Sequence, residues 1–176
     1  MAKTTRGGVT VDTTGLDKLL KRLQILERKE IRWGFFSGSR YGPKNDNMYV
    51  ATIAKLQEDG RSGSSGINTI PSRPFFTTQA LRVITPSDHV GSKFLTLLGT
   101  AVKSTMTGGT DASAYNAVGK HLHDSLQEEI IAWNSPANAP MTIKIKGKND
   151  PLIHTGMMLE SVEYKIVQRR KVDVDA

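Results

Sequence analysis

The chain has 176 residues, no cysteine and a formal net charge of +7, a length that suits one compact domain and leaves no room for two ordinary ones. Without cysteine there is no disulfide, no thiol nucleophile, no Cys-ligated zinc and no iron–sulfur cluster. With 38% apolar and 23% charged residues, the composition is that of a folded chain. No apolar run approaches the roughly 20 residues of a membrane span, and the opening MAKTTRGG lacks the apolar stretch of a signal peptide. The expectation is therefore a soluble product made inside a cell. Residues 1–44 hold ten Lys/Arg against four Asp/Glu, whereas residues 45–176 hold fourteen against thirteen. The basic surplus thus belongs to the N-terminal quarter.

In chain order, Val9 and Val11 alternate with polar residues, a short strand pattern. Thr14 opens a helix, with Asp17 placed to complete a capping box. Leu16, Leu19, Leu20, Leu23 and Leu26 follow at helical spacing, with Lys18, Lys21, Arg22 and Arg28 mostly off that stripe. Ile31 to Phe36 reads as a strand. Residues 37–47 are rich in chain breakers, a mobile loop. Met48 to Glu58 reads as a helix, and the Gly/Ser-rich 60–68 as a second mobile loop. Ile70-Pro71-Ser72-Arg73-Pro74 is extended, because each proline disfavours the helical region for the residue before it.

A short helix is expected over Phe75–Val83, and Pro86 suits the first turn of the next. Val90, Phe94, Leu97, Leu98, Ala101 and Thr105 mark that helix, which ends at Gly108-Gly109. Asp111 is placed to cap a long amphipathic helix marked by Tyr115, Val118, Leu122, Leu126, Ile130 and Trp133. Ile143 and Ile145 alternate with polar residues, as do Val162, Tyr164 and Ile166, and both read as strands. The resulting class is α+β: a small, mostly antiparallel sheet packed against long amphipathic helices, with extended loops. One domain spans 1–176, with a core over 9–167 and a charged tail over 168–176. Short strands near a terminus leave edges open to pairing with another copy.

No catalytic motif is present. Gly63-Ser64-Ser65-Gly66 lacks the spacing and the strand-to-helix setting of a nucleophile elbow. Neither Gly119-Lys120-His121 nor Gly147-Lys148-Asn149 completes a phosphate loop. His121 and His123 are two apart, so on a helix they point about 200° away from each other and share no ion. The expectation is a protein without enzymatic activity, cofactor or metal. The basic quarter admits a nucleic-acid surface built on Lys18, Lys21, Arg22 and Arg28, or simply a solvated helix face. Two prolines bracket Arg73 and two phenylalanines follow. Arg offers a planar fork for recognition and Phe a large apolar area. This segment either closes the domain's own core or places Arg73 at an interface with Phe75 turned inward.

Several pieces fall into a known order: Trp33-Gly34-Phe35; the helix end Gln57-Glu58-Asp59-Gly60; Ile70-Pro71-Ser72-Arg73-Pro74-Phe75; two long helices; and Leu152-Ile153-His154-Thr155-Gly156, with Leu159, before a last strand. Over roughly residues 9–167 the chain resembles the tail-completion and head-to-tail neck proteins of long-tailed bacteriophages. Members of that family often carry an apolar or aromatic residue where Asp59 stands, and Asp where His154 stands. The resemblance implies a structural virion protein, made in the host cytoplasm, that forms a ring at the head–tail junction or tail end. Such a ring is often sixfold, which would make this one a hexamer. Its partners would be further copies of itself, neighbouring connector and tail proteins, and DNA crossing the lumen without specific binding. Glu58, Gly60, Pro71, Arg73, Pro74, Phe75, Thr155, Gly156 and Leu159 are the motif residues it singles out as candidates for an assembly interface.

Overall fold

The computed structural model describes residues 3–6, 9–43, 46–62, 69–109 and 112–168. Strands β1 (Lys3–Arg6) and β2 (Val9–Asp12) form an antiparallel hairpin, Lys3 opposite Asp12 and Arg6 opposite Val9. Only β2 carries an apolar alternation, which is why β1 escapes a reading based on periodicity. Helix α1 (Thr14–Arg28) follows directly. Asp12 lies against its first turn, its carboxylate accepting the Thr14 N–H at 2.9 Å, while the N-cap residue makes no side-chain cap. Thr13 occupies the N-cap position.

Strand β3 (Lys29–Phe35) pairs antiparallel with β4 (Val162–Gln168), from Lys29 opposite Gln168 to Phe35 opposite Val162. This pairing brings the segment that follows α1 against a strand more than 120 residues later and is a platform for the helix over Ala112–Ala132. Helices α2 (Val50–Asp59) and α3 (Phe75–Ile84) appear close to their expected places. Helix α4 spans His89–Thr107 and α5 spans Ala112–Ala132. It is Asp88, not Pro86, that begins α4: its carboxylate accepts the Val90 N–H at 2.8 Å. Asp111 lies outside the described residues.

Ile143 and Ile145 belong to a short helix, α6 (Pro140–Lys146), not to a strand. Two alternating isoleucines fit either period, and the flanks decide. Pro140 stands in the first turn, where a missing N–H costs nothing, and Gly147 closes the helix in the left-handed conformation. Met141 and Ile145 are 69% and 76% exposed, so no apolar face forces the strand. A single turn, α7 (Met157–Glu160), precedes β4. The class is α+β, with two separate two-stranded antiparallel sheets among the described residues.

The core has two parts. Val50, Ala54, Phe75, Leu126, Ile130, Leu152, Met158 and Val162 form one; Val83, Val90, Ala101, Tyr115, Val118 and Leu122 form the other. Trp33 packs against both. Its indole N–H donates to Gln79 Oε1 at 3.1 Å, and Gln79 Nε2 donates to Ser125 Oγ at 2.7 Å. That chain ties β3, α3 and α5 together with its buried polar atoms paired. At Gly119, on α5, a methyl group would overlap the Tyr164 ring of β4, so the bare backbone sets how closely the helix lies on the ribbon. No helix among the described residues is long and apolar enough to cross a membrane.

Candidate functional site

Six of the motif residues meet in one internal clasp between the end of α2 and the start of α3. Gly60 leaves α2 with φ 74°. A Cβ there would come within 2.6 Å of Ser72 N and 2.8 Å of Ile70 O, so only glycine lets the two segments touch. Arg61 and Ile70 exchange backbone hydrogen bonds of 2.8 Å each, which closes the base of the loop whose residues 63–68 lie outside those described. The Gln57 carbonyl accepts the Arg73 N–H at 2.7 Å, and the Glu58 carbonyl accepts Ser72 Oγ at 2.7 Å. The Glu58 carboxylate accepts the N–H groups of Phe76 and Thr77, at 2.9 and 3.0 Å. It thereby satisfies two orphan donors of α3 from another helix, with its charge on the positive end of the dipole.

Arg73 turns inward. It is 5% exposed; its Nε donates to the Pro136 carbonyl at 3.0 Å, Nη2 to the Ala137 carbonyl at 3.4 Å, and Nη1 to Gln57 Oε1. Burial lowers its pKa from the usual arginine value. Of the two alternatives for this segment, Arg73 takes the internal one, which corrects its place among the interface candidates: the fork of donors is spent on carbonyls of its own chain. Phe75 is buried as expected, edge-on to Phe35 with ring centroids 6.2 Å apart. Pro71 is partly buried and Pro74 exposed; Pro74 supplies the N-cap position of α3.

The second motif reaches the same core from the other side. Gly156 adopts a left-handed conformation, φ 80°, ahead of α7, and Thr155 Oγ1 accepts the Met157 N–H at 3.4 Å. Leu159 packs against the cluster that holds Phe75, and its carbonyl accepts Gln127 Nε2 at 2.9 Å. Eight of the nine residues thus hold a contact or a helix-end position inside the domain, and Pro71 is partly buried beside them. Loop 37–47 is tied down at its ends: Arg40 bridges to Tyr49, and the Tyr41 N–H donates to the Met48 carbonyl at 2.9 Å.

The histidines do not converge. His121 is buried, with Nε2 at 2.9 Å from the Val90 carbonyl, and His123 Nδ1 is 2.8 Å from Asp124. Among the described residues no group of His, Asp and Glu is placed to hold a metal ion.

The exposed chemistry is elsewhere, on α1. This 15-residue helix buries none of its side chains. Leu26 packs on the second core, and Arg22 Nη1 donates to the Met106 carbonyl at 2.7 Å. Leu16, Leu19, Leu20 and Leu23 remain 55, 39, 48 and 45% exposed. Leu26 also lines an apolar groove of about 330 Å³ with Ile31, Phe94, Leu98 and Val102, so the leucine stripe runs on into it. The stripe is visible in the sequence, but its exposure is not, because periodicity does not say what an apolar face meets. No protein-family model, no curated protein and no solved structure matches the chain.

Proposed function

We propose that this chain is a structural, non-enzymatic subunit of a phage particle, forming a ring at the head–tail junction or tail end as a neck or tail-completion protein. The observation that carries this reading is helix α1: four leucines in a row, each between 39 and 55% exposed, on a helix with no buried residue. A fully buried leucine contributes about 1.5–3 kcal/mol, and much of that is unrealised in the lone chain. Contiguous apolar surface of this kind marks a protein contact. A stripe that meets a different surface on the next copy makes a heterologous contact, which closes into a ring when the rotation allows. The motif order that resembles the phage family supports the location, and the clasp gives the motif segments at α2 and α3 a physical purpose in holding the domain together.

Purified virions test the location. The chain is expected in them in a fixed, ring-sized copy number, and particles made without it should show heads and tails that are unfinished or unjoined. Complete, infectious particles formed without it would refute the proposal.

A further inference from the structure

Helix α1 has a second face, away from its leucines. Lys21, Gln24, Ile25 and Arg28 recur at helical spacing and stand in one row. With Lys29 and Gln168 they line a concavity of about 280 Å³ that has three cations, two amides and no carboxylate in its wall. Neither Lys21 nor Arg28 has an ion-pair partner among the described residues. The Lys29 amine sits 3.8 Å from the Tyr115 ring centroid, which fixes its stem at the edge of the site. Arg22, a neighbour in sequence, is spent on the Met106 carbonyl and takes no part. The pairing of Lys29 with Gln168 brings the end of β4 to this rim. From there the sequence continues as Arg169-Arg170-Lys171, beyond the described residues.

Like charges gathered without counter-charges repel one another, and a polyanion relieves that repulsion. We propose that this end of the molecule binds the phosphodiester backbone of a nucleic acid, with Lys21, Arg28 and Lys29 as cations and Gln24 and Gln168 as amide donors. Lys21 and Arg28 are seven residues apart, roughly 10 Å along the helix, so their cations are spread along its axis. They suit successive phosphates of a chain. The wall holds no aromatic ring on which a base would stack, so the binding is independent of sequence. The site needs no ring of subunits, and its test uses the free protein, so this inference and the assembly role fail separately.

The test is fluorescence anisotropy of the full chain with a short fluorescein-labelled DNA duplex across a salt series. Lys21→Ala/Arg28→Ala should lower the slope of log affinity against log salt by about 1.8, the counterions of two phosphate contacts, and weaken low-salt binding about tenfold or more. Alanine is favourable on an exposed helix face, so the fold is kept. Lys93→Ala/Lys144→Ala, which removes equal charge at two exposed positions elsewhere, should leave the slope unchanged. An unchanged slope in the α1 variant overturns the proposal. So does an equal loss in the control, which would assign binding to net charge, or displacement by inorganic phosphate at matched ionic strength, which would mean a single-anion site.

Discussion

Arg73 is fastened twice to Gln57: its backbone N–H donates to the Gln57 carbonyl at 2.7 Å, and its guanidinium to the Gln57 side-chain oxygen. The end of α2 and the proline-bracketed segment are thereby locked in register. The same guanidinium reaches the Pro136 and Ala137 carbonyls after α5, so one side chain holds three parts of the chain.

Arg73→Ala should therefore destabilise the isolated chain. It strands buried acceptors, each at about 1–3 kcal/mol, and a domain of this size loses about 2–4 °C of melting temperature per kcal/mol. Phe75→Ala, which empties a site 1% exposed, should cost about 3–5 kcal/mol. Thermal unfolding of both variants checks this. An Arg73→Ala chain that melts like the native one would return the residue to an interface role.

Gly119→Ala should also destabilise, because the added methyl overlaps the Tyr164 ring and overpacking costs about 1–3 kcal/mol. In a Tyr164→Ala background the same change should be nearly neutral. A double-mutant cycle by chemical denaturation measures the coupling; additive costs would mean that the helix and ribbon do not meet there.

Asp88 gives the fold an acid limb. The Val90 N–H, and then Arg82, hold its carboxyl below the usual carboxylate range, against the opposing effect of burial. Its charged form is thus favoured by folding. The stabilisation is present above the unfolded pKa of about 3.9 and is lost as pH falls through the lower folded value. Asp88→Asn keeps a capping oxygen and removes the titration. Its melting temperature should fall less steeply than the native one as pH drops below about 4. Parallel curves would show that other carboxyls set the acid limb.

Much of this fold is legible in the sequence where periodicity is long and the punctuation agrees. Helices α4 and α5, and strands β3 and β4, lie close to where Val90–Thr105, Tyr115–Trp133, Ile31–Phe36 and Val162–Ile166 put them. Short elements are ambiguous: two isoleucines in α6 fit a period of two as well as 3.6, and Pro140 and Gly147 are the better guides. The clasp is legible as a set of residues but not as a direction. Prolines say that Arg73 is held; only the carbonyls of Pro136 and Ala137, more than sixty positions away, say that it points inward. The basic site is legible only in part: Lys21 and Arg28 stand out as cations of the N-terminal quarter, but Gln168 joins them only through the pairing of β3 with β4.

Assembly through the leucine face of α1 is most directly tested by the mass of the chain in solution. Sedimentation velocity should be run on the native chain and on Leu20→Lys/Leu23→Lys, whose side chains are 48 and 45% exposed. The native chain should form a discrete, closed oligomer as concentration rises. The variant should stay monomeric, with a melting temperature within a few degrees of the native monomer's, because exposed substitutions change stability by about 0.5 kcal/mol or less. A native chain that remains monomeric at every concentration, or a variant that assembles as the native chain does, would contradict assembly through α1.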